Sequence, residues 1–204
     1  MKVLDYFKKI TLYSLLVAGI LITGCKDDDP PEPENELEVI TDVKLVFTND
    51  ADATDVVEVS AQDPDGEGVR ELVILDEINL DVDKSYTLTF EIFNNLESPG
   101  EDIGDEIAEE DDEHQLFFSF SNDAFTDPDG DGNIDNASDP LNYNDRDGNG
   151  NPLGLSTSWT TASSTLSGGS FTARLQHQPD IKTSTSGATD GDTDFDLQFV
   201  LNIQ

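Results

Sequence analysis

The residues of this chain best equipped for chemistry are two histidines and a large excess of carboxylates: 45 Asp and Glu stand against 10 Lys and Arg in 204 residues. The densest motif is Asp127-Pro128-Asp129-Gly130-Asp131-Gly132-Asn133-Ile134-Asp135. A hard cation such as calcium takes about six to eight oxygens, and a tight loop with acids at alternate places supplies them. Asp127, Asp129, Asp131, Asn133 and Asp135 are the candidate calcium ligands, with Gly132 where such a loop turns sharply. The twelfth place, which wants a bidentate Glu, holds Ser138, with Asp139 beside it. The competing reading is a surface turn, because Asp and Gly both tolerate left-handed backbone. Two weaker echoes, at 145–151 and 63–68, read as hairpin turns.

His114 and His177 suggest a second site. In period-two numbering His114 shares its face with Leu116, Phe118 and Phe120, and His177 with Phe171, Ala173 and Leu175. Both imidazoles therefore point to the core side at a strand's edge. If the two strands are antiparallel neighbours, the rings meet at one end of the fold. With Glu113 beside His114, the set His114, His177 and Glu113 could hold zinc or copper. The plainer alternative is two rim histidines hydrogen-bonded to backbone or carboxylate. Catalytic patterns are poor: no G-x-S-x-G elbow marks a nucleophile, and so many acids give no glycosidase pair any distinction. No enzyme is expected. Trp159 alternates with Leu155 and Thr157 and reads as core.

These residues need strands to position them. Val43, Leu45 and Phe47 alternate with other side chains, as do Tyr86, Leu88, Phe90 and Ile92. Phe195, Leu197, Phe199, Leu201 and Ile203 form a third row, with Asp194, Asp196, Gln198 and Asn202 on the water side. Shorter candidates are 56–62, 69–75, 115–121, 141–145, 155–161 and 170–178, separated by Asp-Gly-Pro turn clusters. Residues 101–113 place Ile103 and Ile107 four apart among acids, which suits a short helical turn. The expectation is all-β: an antiparallel β-sandwich, Ig-like or jelly-roll-like, of roughly eight or nine strands, with a closed barrel as the alternative.

The first residues carry an address. Lys2, Lys8 and Lys9 precede an apolar run from Ile10 to Ile22, which is short for a membrane span and has the layout of a secretory signal. Its ending, Ile22-Thr23-Gly24-Cys25, resembles a bacterial lipobox, which predicts a signal peptide over 1–24 and lipidation of Cys25. Residues 25–36 form an acidic, Pro-rich tether, and 37–204 a single domain. Lys26-Asp27-Asp28 after the cysteine resembles the signal that sends lipoproteins of Bacteroidota to the cell surface. The periplasmic face of the outer membrane is the alternative. Loss of 1–24 removes three lysines and one aspartate, deepening the net charge from −35 to −37. That field repels nucleic acid and attracts cations. Cys25 is the one cysteine, so the exported domain has no disulfide.

Several segments together, E-S-P-G-E-D at 97–102, D-E-H-Q-L-F-F at 112–118, D-R-D-G-N-G-N-P-L-G-L at 145–155 and R-L-Q-H-Q-P-D at 174–180, resemble uncharacterised lipoproteins of Bacteroidota. These often bear the label "type 1 periplasmic binding fold", an α/β architecture that a strand-rich chain of this length does not match. The resemblance implies a lipid-anchored all-β domain working beside a TonB-dependent outer-membrane receptor. The loop at 127–139 is more similar to those of thrombospondin type-3 repeats or dockerins than to an EF-hand. The leading expectation is a binding module that captures a ligand, a metal ion among the candidates. The second is a calcium-stabilised structural or adhesive surface lipoprotein.

Overall fold

The computed structural model describes residues 37–63, 72–96 and 98–204. The lipobox, Cys25 and the tether lie outside the described residues, as does most of the 63–68 echo. From Leu37 to Gln204 the chain forms one compact unit. Its strands are β1 (Asp42–Asn49), β2 (Val56–Gln62), β3 (Val73–Ile74), β4 (Ile78–Leu80), β5 (Ser85–Asn94) and β6 (Glu101–Asp102). After helix α1 (Ile103–Glu109) follow β7 (His114–Phe120), β8 (Phe125–Asp127), β9 (Ser156–Thr161), β10 (Leu166–His177) and β11 (Asp192–Ile203). None of the described helical residues forms a segment long and apolar enough to cross a membrane.

The strands make two sheets. One runs β3-β2-β1-β5-β9-β8, with β6 also paired to β5; the other runs β4-β11-β10-β7. Every pairing is antiparallel except that of β4 with β11. The alternating apolar rows point inward and meet between the sheets. Phe47 of β1 lies edge-on to Phe171 of β10 at 5.8 Å. Trp159 of β9 is buried against Phe171 at 5.1 Å and Phe118 at 5.5 Å. Its indole N–H donates to Thr157 Oγ1 at 2.7 Å, so the ring is core, as its spacing implies.

The sandwich matches the expected class, and α1 lies inside the helical turn expected near 101–113, with Ile103 and Ile107 buried. Two strand expectations change. Residues 141–145 form only an isolated bridge, Tyr143 to Thr157, with Asn144 N–H donating to Ser156 O and Ser158 N–H to Asn142 O on either side of it. Of 69–75, only Val73–Ile74 is described as strand. β4, β6 and β8 are two or three residues long, too short to show a period.

β7 would be an open edge of the second sheet, and loops close it. Phe120 N–H donates to Asp131 O at 2.9 Å, Leu116 N–H to Leu153 O at 2.7 Å, and Phe118 N–H to Asn133 Oδ1 at 2.9 Å. Covering the ladder groups in this way prevents another strand from adding there.

Candidate metal centre

β7 begins and β10 ends at the same place: His114 and His177 are direct cross-strand partners. Neighbours of this kind have Cβ atoms about 5 Å apart, and the two rings stack, with centroids 4.6 Å apart and planes 6° from parallel. Both are buried. The inward parity read from the sequence therefore brings the pair together at one end of the sandwich.

Helix α1 sets the tautomer of His114. Asp102 caps α1, its Oδ1 accepting from Asp105 N–H at 3.3 Å. The helix ends at Glu110, whose carbonyl oxygen lies 3.3 Å from His114 Nδ1. A carbonyl can only accept, so Nδ1 carries the proton and Nε2 presents a bare lone pair. Burial, then the neighbouring His177, push the His114 pKa down to about 4, so the ring is neutral at physiological pH. Neutral imidazole is the form that binds metal.

Neither His114 Nε2 nor His177 Nε2 has a hydrogen-bond partner. Carboxylates stand around them. Glu113 Oε2 is 3.5 Å from His177 Nε2, and Asp194 Oδ2 is 4.0 Å from His114 Nε2. Glu110, His114 and His177 each offer a ligand atom within 4.8 Å of the others. Glu38, Glu101, Glu106 and Glu110 crowd the same end: burial first, then Glu106, Glu110 and Glu101, raise the Glu38 pKa to about 7. A buried, unpaired ring nitrogen is costly in a metal-free fold, and a bound cation would offset that cost.

Asp194 departs from the alternation, which puts it in water. It is buried, next to buried Phe195, because β11 carries a bulge: Leu175 pairs with Phe195 and Gln176 with Thr193, so the register skips Asp194. A bulge re-aims the side chain of the extra residue. Asp194 Oδ1 accepts from Glu38 N–H at 3.2 Å, while Oδ2 has no hydrogen-bond partner. Burial, then Glu38 and Asp192, lift its pKa to about 7. The consecutive buried positions betray the bulge in the fold; nothing in D-T-D-F-D-L distinguishes it beforehand.

The calcium loop is rearranged. Asn133 is buried, its Oδ1 accepting from Phe118 N–H and its Nδ2 donating to Tyr143 OH at 2.9 Å, so both ends of its amide serve the scaffold. The cause is Gly132, at φ +99, where a Cβ would stand 2.1 Å from Phe118 O. This glycine lets the loop press against β7 rather than wrap an ion. Asp127 Oδ1 accepts from Asn142 Nδ2 at 2.8 Å. Asp131, Asp135 and Asp139 approach within 4.8 Å of one another, a group that includes neither Asp127 nor Asp129. In the 145–151 echo, Asp147 Oδ1 accepts from Asn149 and Asn151 N–H, and its Oδ2 lies 3.4 Å from buried Lys182 Nζ. There an ammonium takes the place an ion would have.

No family model, curated protein or solved structure matches the chain.

Proposed function

We propose that this protein is an exported, lipid-anchored binding module of the outer membrane, facing the cell surface, that captures a divalent transition-metal ion for a TonB-dependent receptor. One observation carries the reading: two buried imidazole nitrogens on neighbouring strands, both free of hydrogen bonds, with carboxylates beside them. Structural histidines on a rim satisfy their nitrogens; these two each leave Nε2 bare. The lipobox and the acidic tether support export and anchoring, and the negative field supports cation uptake. The rings bind and release, and no bond-making step is needed.

The test is elemental analysis of protein prepared without chelator, followed by zinc and copper titration. Zinc or copper at one ion per chain, lost in a His114→Ala/His177→Ala double variant, is the expected outcome. A specific observation favours a second reading, the approach of Asp131, Asp135 and Asp139. Calcium alone, lost when these residues become Asn, points to a calcium-stabilised structural or adhesive surface lipoprotein. Protease shaving of intact cells tests placement: a protein cut only after lysis lies on the periplasmic face.

A further inference from the structure

We infer that Asp194 is the third ligand of the ion held by His114 and His177, making the centre a buried His₂Asp site suited to zinc rather than to soft monovalent copper. The inference rests on the metal-capture reading above. Three atoms at this end of the sandwich are buried and without hydrogen bonds: His114 Nε2, His177 Nε2 and Asp194 Oδ2. Two further buried atoms without partners, on Gln115 and Gln178, are amide oxygens. Amide oxygens are weak ligands, whereas imidazole and carboxylate are preferred zinc donors.

One separation already fits an ion. Zinc binds imidazole nitrogen and carboxylate oxygen at about 2.0–2.2 Å each, so one ion spans at most about 4.2 Å between two donors. His114 Nε2 and Asp194 Oδ2 are 4.0 Å apart, too far for a hydrogen bond and within that span. Asp194 lies outside the set of Glu110, His114 and His177 atoms that stand within 4.8 Å of one another, so closing the site requires the His177 ring to tilt toward His114 and Asp194 Oδ2 as the ion enters. The surroundings also suit a ligand. Glu38 N–H holds Asp194 Oδ1, which leaves Oδ2 to bind, and Glu110 O holds His114 Nδ1, which leaves Nε2 to bind. Backing of both donors from outside the coordination sphere is the usual arrangement of metal centres. Among the described residues the one ion-pair partner of Asp194 is His114, whose Nε2 is the bare nitrogen. Lys182, the nearest candidate cation in the sequence, is engaged with Asp147 and Asp111 O. A fold that bends β11 at a bulge to bury a carboxylate there sacrifices metal-free stability, and a bound divalent cation restores it. A hard carboxylate among the donors favours zinc over monovalent copper, which prefers sulfur.

The experiment compares full-length wild type with Asp194→Asn by zinc competition against a chromophoric chelator. Asp194→Asn keeps the size of the side chain and its bond from Glu38 N–H. It should bind zinc roughly 10- to 100-fold more weakly, melt higher than wild type after chelator treatment, and show a smaller zinc-induced rise in melting temperature. Asp196→Asn, two residues along on the exposed face, should match wild type in zinc affinity and in the zinc-induced rise, although it gives up the ion pair with Arg174. A second variant guards against a folding artefact: Asp194→Cys with Co²⁺ should gain a thiolate-to-cobalt charge-transfer band that wild type, with Cys25 alone, lacks. Equal zinc affinity in Asp194→Asn, or no such band in Asp194→Cys, removes Asp194 from the centre while leaving the histidines in place. Wild type that binds copper but no zinc overturns the zinc assignment, and wild type that binds neither overturns the metal-capture reading itself.

Discussion

Single atoms at the sandwich end set how the metal-free protein responds to pH. Asp194 and Glu38 both have pKa values raised to about 7. Each holds its proton in the folded state where the unfolded chain has already lost it. Folding therefore binds protons, and stability falls as pH rises from the ordinary carboxylate pKa of about 4 up to about 7, levelling off above it. His114 acts in the opposite sense, but only below about 6.5, where the unfolded ring charges before the folded one. The expected outcome is a chelator-treated protein whose melting temperature drops from pH 6 to pH 8, with part of the drop removed in Asp194→Asn. Tyr143 offers a test away from the centre. Its hydroxyl donates to Leu116 O at 2.6 Å and accepts from Asn133 Nδ2, and burial pushes its pKa up to about 12. Tyr143→Phe leaves that carbonyl and that amide without their partner and should cost about 1–3 kcal/mol in urea unfolding.

The strands owe their legibility to period two. Phe195 to Ile203, Phe171 to Leu175 and Leu116 to Phe120 show the inward rows directly, and the same parity placed the two histidines on the core side before their strands were known to be neighbours. Local exceptions stay hidden for physical reasons. Asp194 is re-aimed by one unpaired residue, a register event that composition does not record. Asn133 and Gly132 look like ion-loop residues because the same small polar types serve to press a loop on a strand edge. The loop over residues 178–191 shows a third case: Lys182, buried by that loop with a depressed pKa, ties it to Asp147 and to Asp111 O. Lys182→Met should cost about 3 kcal/mol, because Asp147 is left as a buried charge. The double variant with Asp147→Asn should recover part of the loss, and limited proteolysis within 183–187 should follow the same order.

For the whole molecule, charge dominates. A chain with a formal charge of −35 repels itself, and the described ion pairs beyond the histidines rest on three cations, Lys44, Arg174 and Lys182. Screening should therefore stabilise it: raising NaCl toward 1 M, where the Debye length is about 3 Å, should raise the melting temperature. A control set in magnesium should gain more at equal ionic strength if divalent cations settle on Asp131, Asp135 and Asp139. The hydrogen bond from Glu38 N–H to Asp194 has a further, mechanical meaning. Along the chain it comes before the first ladder bond of the sandwich, Thr41 N–H to Phe93 O. Tension applied to the chain ahead of Leu37 meets that bond before it meets the β1 ladder. The first grip on the incoming strand is thus also the grip on a buried carboxylate, so a pull on this end reaches Asp194 through one amide proton.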